Sequence, residues 1–207
     1  LVHTRLSIID ISSAGRQPMT DESTGVVIAY NGEIYNYREL RAGLADKTFR
    51  SQSDTEVILR LYLRHGIDCV SMLRGMFSLA IWDPRSRTLH LARDRFGIKP
   101  LYYYQDGPVL MFASEIKGLL AFGAPLSLNR KMVYEYLKYG RTAHTAETFF
   151  DGLEALEPGY VLTFREGRTS KKTYWTQFDA AVSDGLRESQ ADEDLEEEVW
   201  QSLREAM

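Results

Sequence analysis

The chain has 207 residues, 44% of them hydrophobic, with 12 Tyr, 9 Phe and 3 Trp, which is enough apolar material for one substantial core. Net charge is −4, acid gathers near the C-terminus and no basic block occurs, which argues against a nucleic-acid partner. No apolar run approaches membrane-spanning length and no signal peptide opens the chain. The single cysteine, Cys69, rules out an intramolecular disulfide and fits a reducing cytoplasm.

The chain opens on "LVHTRLSIID" without a Met, and a start inside a strand-like alternation reads as a missing N-terminus. "RLSIIDI" (5–11) and "VVIAY" (26–30) are β-branched runs that predict strands, separated by a Ser/Gly/Pro-rich loop. Asn31-Gly32 follows at once, and that dipeptide between apolar residues predicts a tight reversal within "YNGEIYN". "YRELRAGLAD" reads as a short helix with Asn36 as its N-cap and Glu39 three residues on. Ser53 to Glu56, "SDTE", is a second capping-box pattern. Val57, Ile58, Leu61 and Tyr62 continue it at helical spacing as far as His65-Gly66.

"FSLAIWD" (77–83) and "TLHLARD" (88–94) predict a hairpin, and "LYYYQDGPVLMFAS" (101–114) another, reversing at Gln105-Asp106-Gly107. Helices are expected over 115–122 and 129–138, and a late hairpin over 160–175 turns at Glu166-Gly167. Hairpins with helices in runs, without strict βαβ alternation, predict an α+β fold with antiparallel sheets. From about Phe178 the chain becomes polar and acidic. Leu195, Val199, Trp200 and Leu203 then recur at helical spacing, which reads as a linker entering a further helix.

Polar residues cluster at element edges. They include Arg5 among apolar strand residues, Asn31, Gly32 and Glu33 at the expected turn, Asp54 in the first turn of a capped helix, Arg93-Asp94 and Ser114-Glu115. A guanidinium grips a carboxylate, two carboxylates hold an ammonium, and an Asn amide beside a Gly N–H offers two donors to an oxyanion. Arg5, Glu33 and Asp54 could therefore bind the head group of an α-amino acid while Asn31 and Gly32 face its reacting carbonyl. Each residue alone also has a plainer reading. An edge-strand Arg pairs with a neighbouring acid, a first-turn Asp complements the helix dipole, and Gly and Pro in "RDRFGIKP" set loop geometry.

Six blocks occur here in one order: "HTRLSIIDISSAGRQPM", "AYNGEIYNYRELR", "SDTEVIL", "GMFSLAIWD", "ARDRFGIKPLYY" and "FASEIKGLL". Together they resemble the glutaminase domain of glutamine-hydrolysing asparagine synthetases, class II glutamine amidotransferases with an N-terminal-nucleophile hydrolase fold. The resemblance implies a four-layer α-β-β-α sandwich of antiparallel sheets over residues 1–177, missing its first strands. Residues 178–207 would then form a linker and the first helix of a truncated synthetase domain. It implies hydrolysis of glutamine to glutamate and ammonia, with the ammonia passed to a C-terminal synthetase domain in cis that amidates aspartate using ATP and Mg2+. No cofactor is expected in these 207 residues, and a homodimer is a further expectation of the resemblance.

Carried onto this sequence, Arg5 matches the arginine for the glutamine α-carboxylate, and the backbone around Ile8 matches a segment lining the same pocket. Asn31 and Gly32 match the oxyanion-hole pair, and Glu33 and Asp54 match the acids for the α-ammonium. "RDRFGIKPLYY" and "ASEIKGL" are expected to be mainly structural, supporting the pocket or a domain interface. The family's nucleophile is an N-terminal cysteine with its own amine as base. Leu1 is not that residue, and Cys69, among apolar neighbours in "HGIDCVSML", reads as a buried side chain, so the chain as given is expected to be inactive. Two other readings stand beside this one: an asparagine-synthetase-like amidotransferase with another acceptor, and a non-catalytic glutamine-binding or regulatory domain.

Overall fold

A computed structural model of the chain describes residues 1–4, 10, 12–44, 49–176 and 200–201. Leu1–Tyr174 form one compact unit, and a second unit, Trp175–Met207, falls almost wholly outside the described residues. The strand expected over 5–11 lies outside them too, except for Asp10, as do the linker and helix expected from 178 onward, except for Trp200 and Gln201.

Nine strands among the described residues form two antiparallel sheets. The larger is six-stranded and comprises β1 (Met19–Thr20), β2 (Val27–Ile34), β3 (Gly75–Asp83), β4 (Thr88–Arg93), β8 (Tyr160–Arg165) and β9 (Arg168–Thr173), side by side in that order. The smaller sheet places β5 (Tyr102–Asp106) between β6 (Val109–Ala113) and β7 (Leu153–Ala155). Period-2 alternation divides the large sheet's side chains between two apolar cores. Ile28, Tyr30, Phe77, Leu79 and Ile81 face one core, with Val57, Ile58 and Leu61 of helix α2 (Asp54–His65). Ala80, Leu89, Leu91 and Leu162 face the other, against Leu101 and Tyr103 of the small sheet's side. The small sheet's outer face meets Leu119 of helix α3 (Ile116–Ala121), with Leu153 and Tyr104. Helix α1 (Tyr37–Gly43) lies in the α2 layer, and helix α4 (Arg130–Tyr139) follows α3 in the chain. Helix, sheet, sheet and helix are thus stacked as the resemblance implies.

Local signals place α2 well. Ser53 Oγ accepts from Thr55 N at 3.0 Å, and Gly66, at φ +64°, follows the last helical residue. The other half of the expected capping box does not form. Glu56 instead accepts from the backbone N–H groups of Arg50 and Ser51 and from the Ser51 hydroxyl.

The reversal expected at Asn31-Gly32 is overturned. β2 runs straight through the dipeptide and pairs with β3 over its full length, from Val27 opposite Trp82 to Ile34 opposite Gly75. The glycine serves a close approach, not a turn. A Cβ on Gly32, whose φ is +154°, would lie 2.1 Å from the Met76 carbonyl oxygen and 2.7 Å from the Phe77 Cα. Gly75 reciprocates, since its Cβ would meet the Glu33 carbonyl oxygen at 2.1 Å. A two-residue turn of the kind Asn-Gly suggests does occur at Glu166-Gly167, where φ is +52° and +76°.

Asn36 is corrected as well. It precedes α1, but its side chain makes no capping bond. Its Nδ2 donates to Met72 O at 3.1 Å and its Oδ1 accepts from Arg74 N at 3.0 Å, tying the start of α1 to the approach to β3.

Candidate active site

β1 covers only the first two residues of β2, pairing with Val27 and Ile28, so the outer edge of β2 beyond Ile28 has no neighbouring strand among the described residues. Backbone groups along that edge need other partners. Tyr30 N donates to Gln17 Oε1 at 2.6 Å, and Ile34 N donates to Asp54 Oδ2 at 3.2 Å. Strand alternation aims the Gly32 N–H at the same edge, and no side chain among the described residues accepts it. It opens onto a cavity of about 650 Å³ whose wall includes Asn31, Gly32, Glu33 and Asp54.

The structure therefore brings together four residues singled out in the sequence. Arg5 and Ile8 lie outside the described residues. Asn31 sits between the sheets, lining this cavity and the adjoining apolar one, and its carboxamide bonds none of the described residues. Asp54 is 5% exposed at the start of α2. Its Oδ2 accepts from the Tyr30 hydroxyl at 2.8 Å as well as from Ile34, and its Oδ1 accepts from Thr55 N at 2.9 Å. Burial raises its pKa above the ordinary 3.8, against the lowering pull of these hydrogen bonds. A buried carboxylate with donors but no paired cation among the described residues is an environment that a ligand ammonium would improve.

Sequence reasoning missed three contributors. Gln17 bridges Tyr30 N and Thr55 Oγ1, the latter at 3.3 Å, and so joins the strand edge to the helix start. Tyr30 frames the motif, yet its bond to Asp54 has no local signal. Lys99 lines the cavity from the "RDRFGIKP" loop. That loop is held by its own first residues. Arg93 donates to the carbonyls of Gly97 (2.7 Å), Leu156 (2.7 Å) and Lys99 (2.8 Å). The fully buried Asp94 accepts from Phe96, Ile98, Lys99 and Phe77 N–H groups at 2.9–3.2 Å.

Cys69 lies away from this cavity. It is fully buried in the turn after α2, in the core between the helices and the large sheet, and burial pushes its thiol up to about 12. A thiol so placed is no nucleophile near neutral pH. Among the described residues no three His, Cys, Asp or Glu side chains gather as a metal ion would require, and no helix is long and apolar enough to cross a membrane.

Residues 1–175 match the model of the glutamine amidotransferase domain family. The chain belongs to that family. Over 98% of its length this amidotransferase domain is 39% identical to asparagine synthetase [glutamine-hydrolyzing] 2 of Bacillus subtilis, and over its full length it is 37% identical to amidase chry2 of Gibberella zeae. It spans 28% of the first protein and 30% of the second. Among solved structures, the glutamine phosphoribosylpyrophosphate amidotransferase of B. subtilis superposes with a TM-score of 0.63 at 22% identity. That match covers 84% of this chain and 34% of that one, and shows the shared fold.

Proposed function

We propose that this domain binds glutamine and releases its side-chain nitrogen as ammonia for a synthetase domain of the same protein. The observation that carries the reading is the Gly32 N–H on the cavity wall, which no side chain among the described residues accepts, beside the Asn31 carboxamide, which bonds none of them, and the acids Glu33 and Asp54. In the reaction a thiolate attacks the glutamine side-chain carbonyl carbon. The carbonyl oxygen becomes an oxyanion, and the Asn31 amide and Gly32 N–H donate to it. The cysteine's own amine, having taken the thiol proton, returns it to the nitrogen so that collapse of the adduct expels ammonia, and water then cleaves the thioester to give glutamate and the free thiol. Glu33 and Asp54 hold the substrate ammonium, and Arg5 and Ile8 keep the roles the resemblance implies. The thiolate is the N-terminal cysteine that the resemblance implies. Cys69 does not take its place.

In the full-length protein the ammonia would amidate aspartate in a cytoplasmic reaction driven by ATP and Mg2+, which act outside these 207 residues. A specific observation favours a second acceptor: the Gibberella relative, matched along the whole chain, is named an amidase. Assaying the full-length protein with aspartate and with other carboxylates as acceptors separates the two.

The domain reading is tested by titrating the 207-residue chain with L-glutamine in a calorimeter while assaying glutamate release. Binding without turnover is the expected outcome, whereas turnover that survives Cys69→Ala would overturn the assignment of the nucleophile. In the full-length protein Asn31→Ala is expected to lower glutaminase kcat roughly 10²–10³-fold. A loss of stability with kcat intact would return Asn31 to a purely structural role.

A further inference from the structure

Hydrolysis of glutamine replaces a neutral carboxamide by a carboxylate, so the cavity must accommodate a charge at its reactive end that the substrate does not carry. Among the described residues the acids on its wall are Glu33, Asp54 and Glu115, and Glu115 is paired with Lys117 at 2.5 Å. Glu33 and Asp54 suit the ligand ammonium and would repel a second carboxylate. The remaining lysine on the wall is Lys99, which is half-buried and whose ammonium forms no ion pair among the described residues.

Its placement is specific. Lys99 N donates to Asp94 Oδ2 at 2.9 Å and its carbonyl accepts from Arg93 Nε at 2.8 Å, so its backbone is fixed on both sides. The same Asp94 Oδ2 accepts from Phe77 N at 3.2 Å, and Phe77 is the strand partner of Gly32. One buried carboxylate oxygen thus joins the backbone of Lys99 to the residue paired with the proposed oxyanion donor. Lys99 thus lines the cavity from a rigid base, with a flexible stem to carry its charge.

We propose that Lys99 holds the side-chain carboxylate of glutamate at the Asn31–Gly32 wall and is the residue that separates the domain's affinity for product from its affinity for substrate. This rests on the glutamine reading above. The α-ammonium and α-carboxylate are common to glutamine and glutamate, so their contributions cancel in the ratio of the two dissociation constants. What remains is the side-chain terminus, where an ammonium favours the carboxylate over the carboxamide.

The test is calorimetric titration of the 207-residue chain, and of its Lys99→Met and Lys99→Arg variants, with L-glutamine and with L-glutamate near neutral pH. Lys99→Met is expected to weaken glutamate binding about tenfold or more, the scale of one charge-assisted hydrogen bond, and to shift glutamine binding by less than about twofold. Lys99→Arg, which keeps the charge, is expected to retain the wild-type ratio. Retained glutamine binding also reports that the variants are folded. A parallel loss for both ligands, or an unchanged ratio in Lys99→Met, overturns the inference. Wild-type chain that binds glutamine but not glutamate also overturns it and leaves the domain reading standing, while failure to bind glutamine sinks that reading and the inference with it.

Discussion

Asp54 shows how far a single side chain can be shared. One oxygen ties strand to helix through Tyr30 and Ile34, the other caps the helix it begins, and the carboxyl still borders the cavity. Because burial raises its pKa above 3.8, part of the acid range finds it protonated and unable to attract an ammonium. Glutamine affinity should therefore rise with pH through that raised value and level off above it. Asp54→Asn is expected to weaken binding about 10–100-fold at neutral pH and to remove that acid limb, both read by titration at a series of pH values. A limb unchanged in the variant would show that Asp54 is not the group that titrates.

Among the elements, β2 and β3 approach more closely than side chains permit at Gly32 and Gly75. Gly32→Ala would press a Cβ against the Met76 carbonyl, and is expected to cost about 3 kcal/mol or more in urea unfolding. Gly43→Ala, at the end of α1 with nothing within 4 Å of its Cβ, should be near neutral and serves as the control. The same pair of strands shows where the sequence could be read and where it could not. α2, the 101–114 hairpin and the turn at Glu166-Gly167 are announced by caps, alternation and turn residues lying within each segment. The course of Asn31-Gly32 is decided by β3, far along the chain, and long-range pairing overrode a strong local turn signal. The role of Asn36 is set in the same way, because its partners Met72 and Arg74 are distant in sequence. Four site residues were legible as a chemical set, but Gln17 and Lys99 carried no pattern pointing to the cavity, since only tertiary folding brings them there.

At the scale of the whole molecule, stability and pH are linked through two buried carboxyls that pull in opposite directions. The Arg85 guanidinium, donating to Asp83 at 2.6 and 2.9 Å, holds the Asp83 pKa at about 2. This depressed pKa contributes stability that is present above 3.8 and lost as pH falls through about 2. Asp54, raised by burial, contributes stability below 3.8 that is lost as pH rises through its folded value. Arg85 is half-exposed, so Arg85→Ala is expected to cost only about 1 kcal/mol near pH 7, and the difference should shrink as pH falls through about 2, as measured by denaturant unfolding over that range. Both faces of the large sheet's central strands are closed by apolar cores, and an N–H paired between those strands is sealed from water. Gly32 breaks that seal. Its amide lies within a six-stranded sheet yet faces the cavity, between two neighbours whose amides are tied by side chains. In hydrogen exchange it is the leak in an otherwise protected strand, and a single backbone resonance there reports whether the cavity is empty or filled.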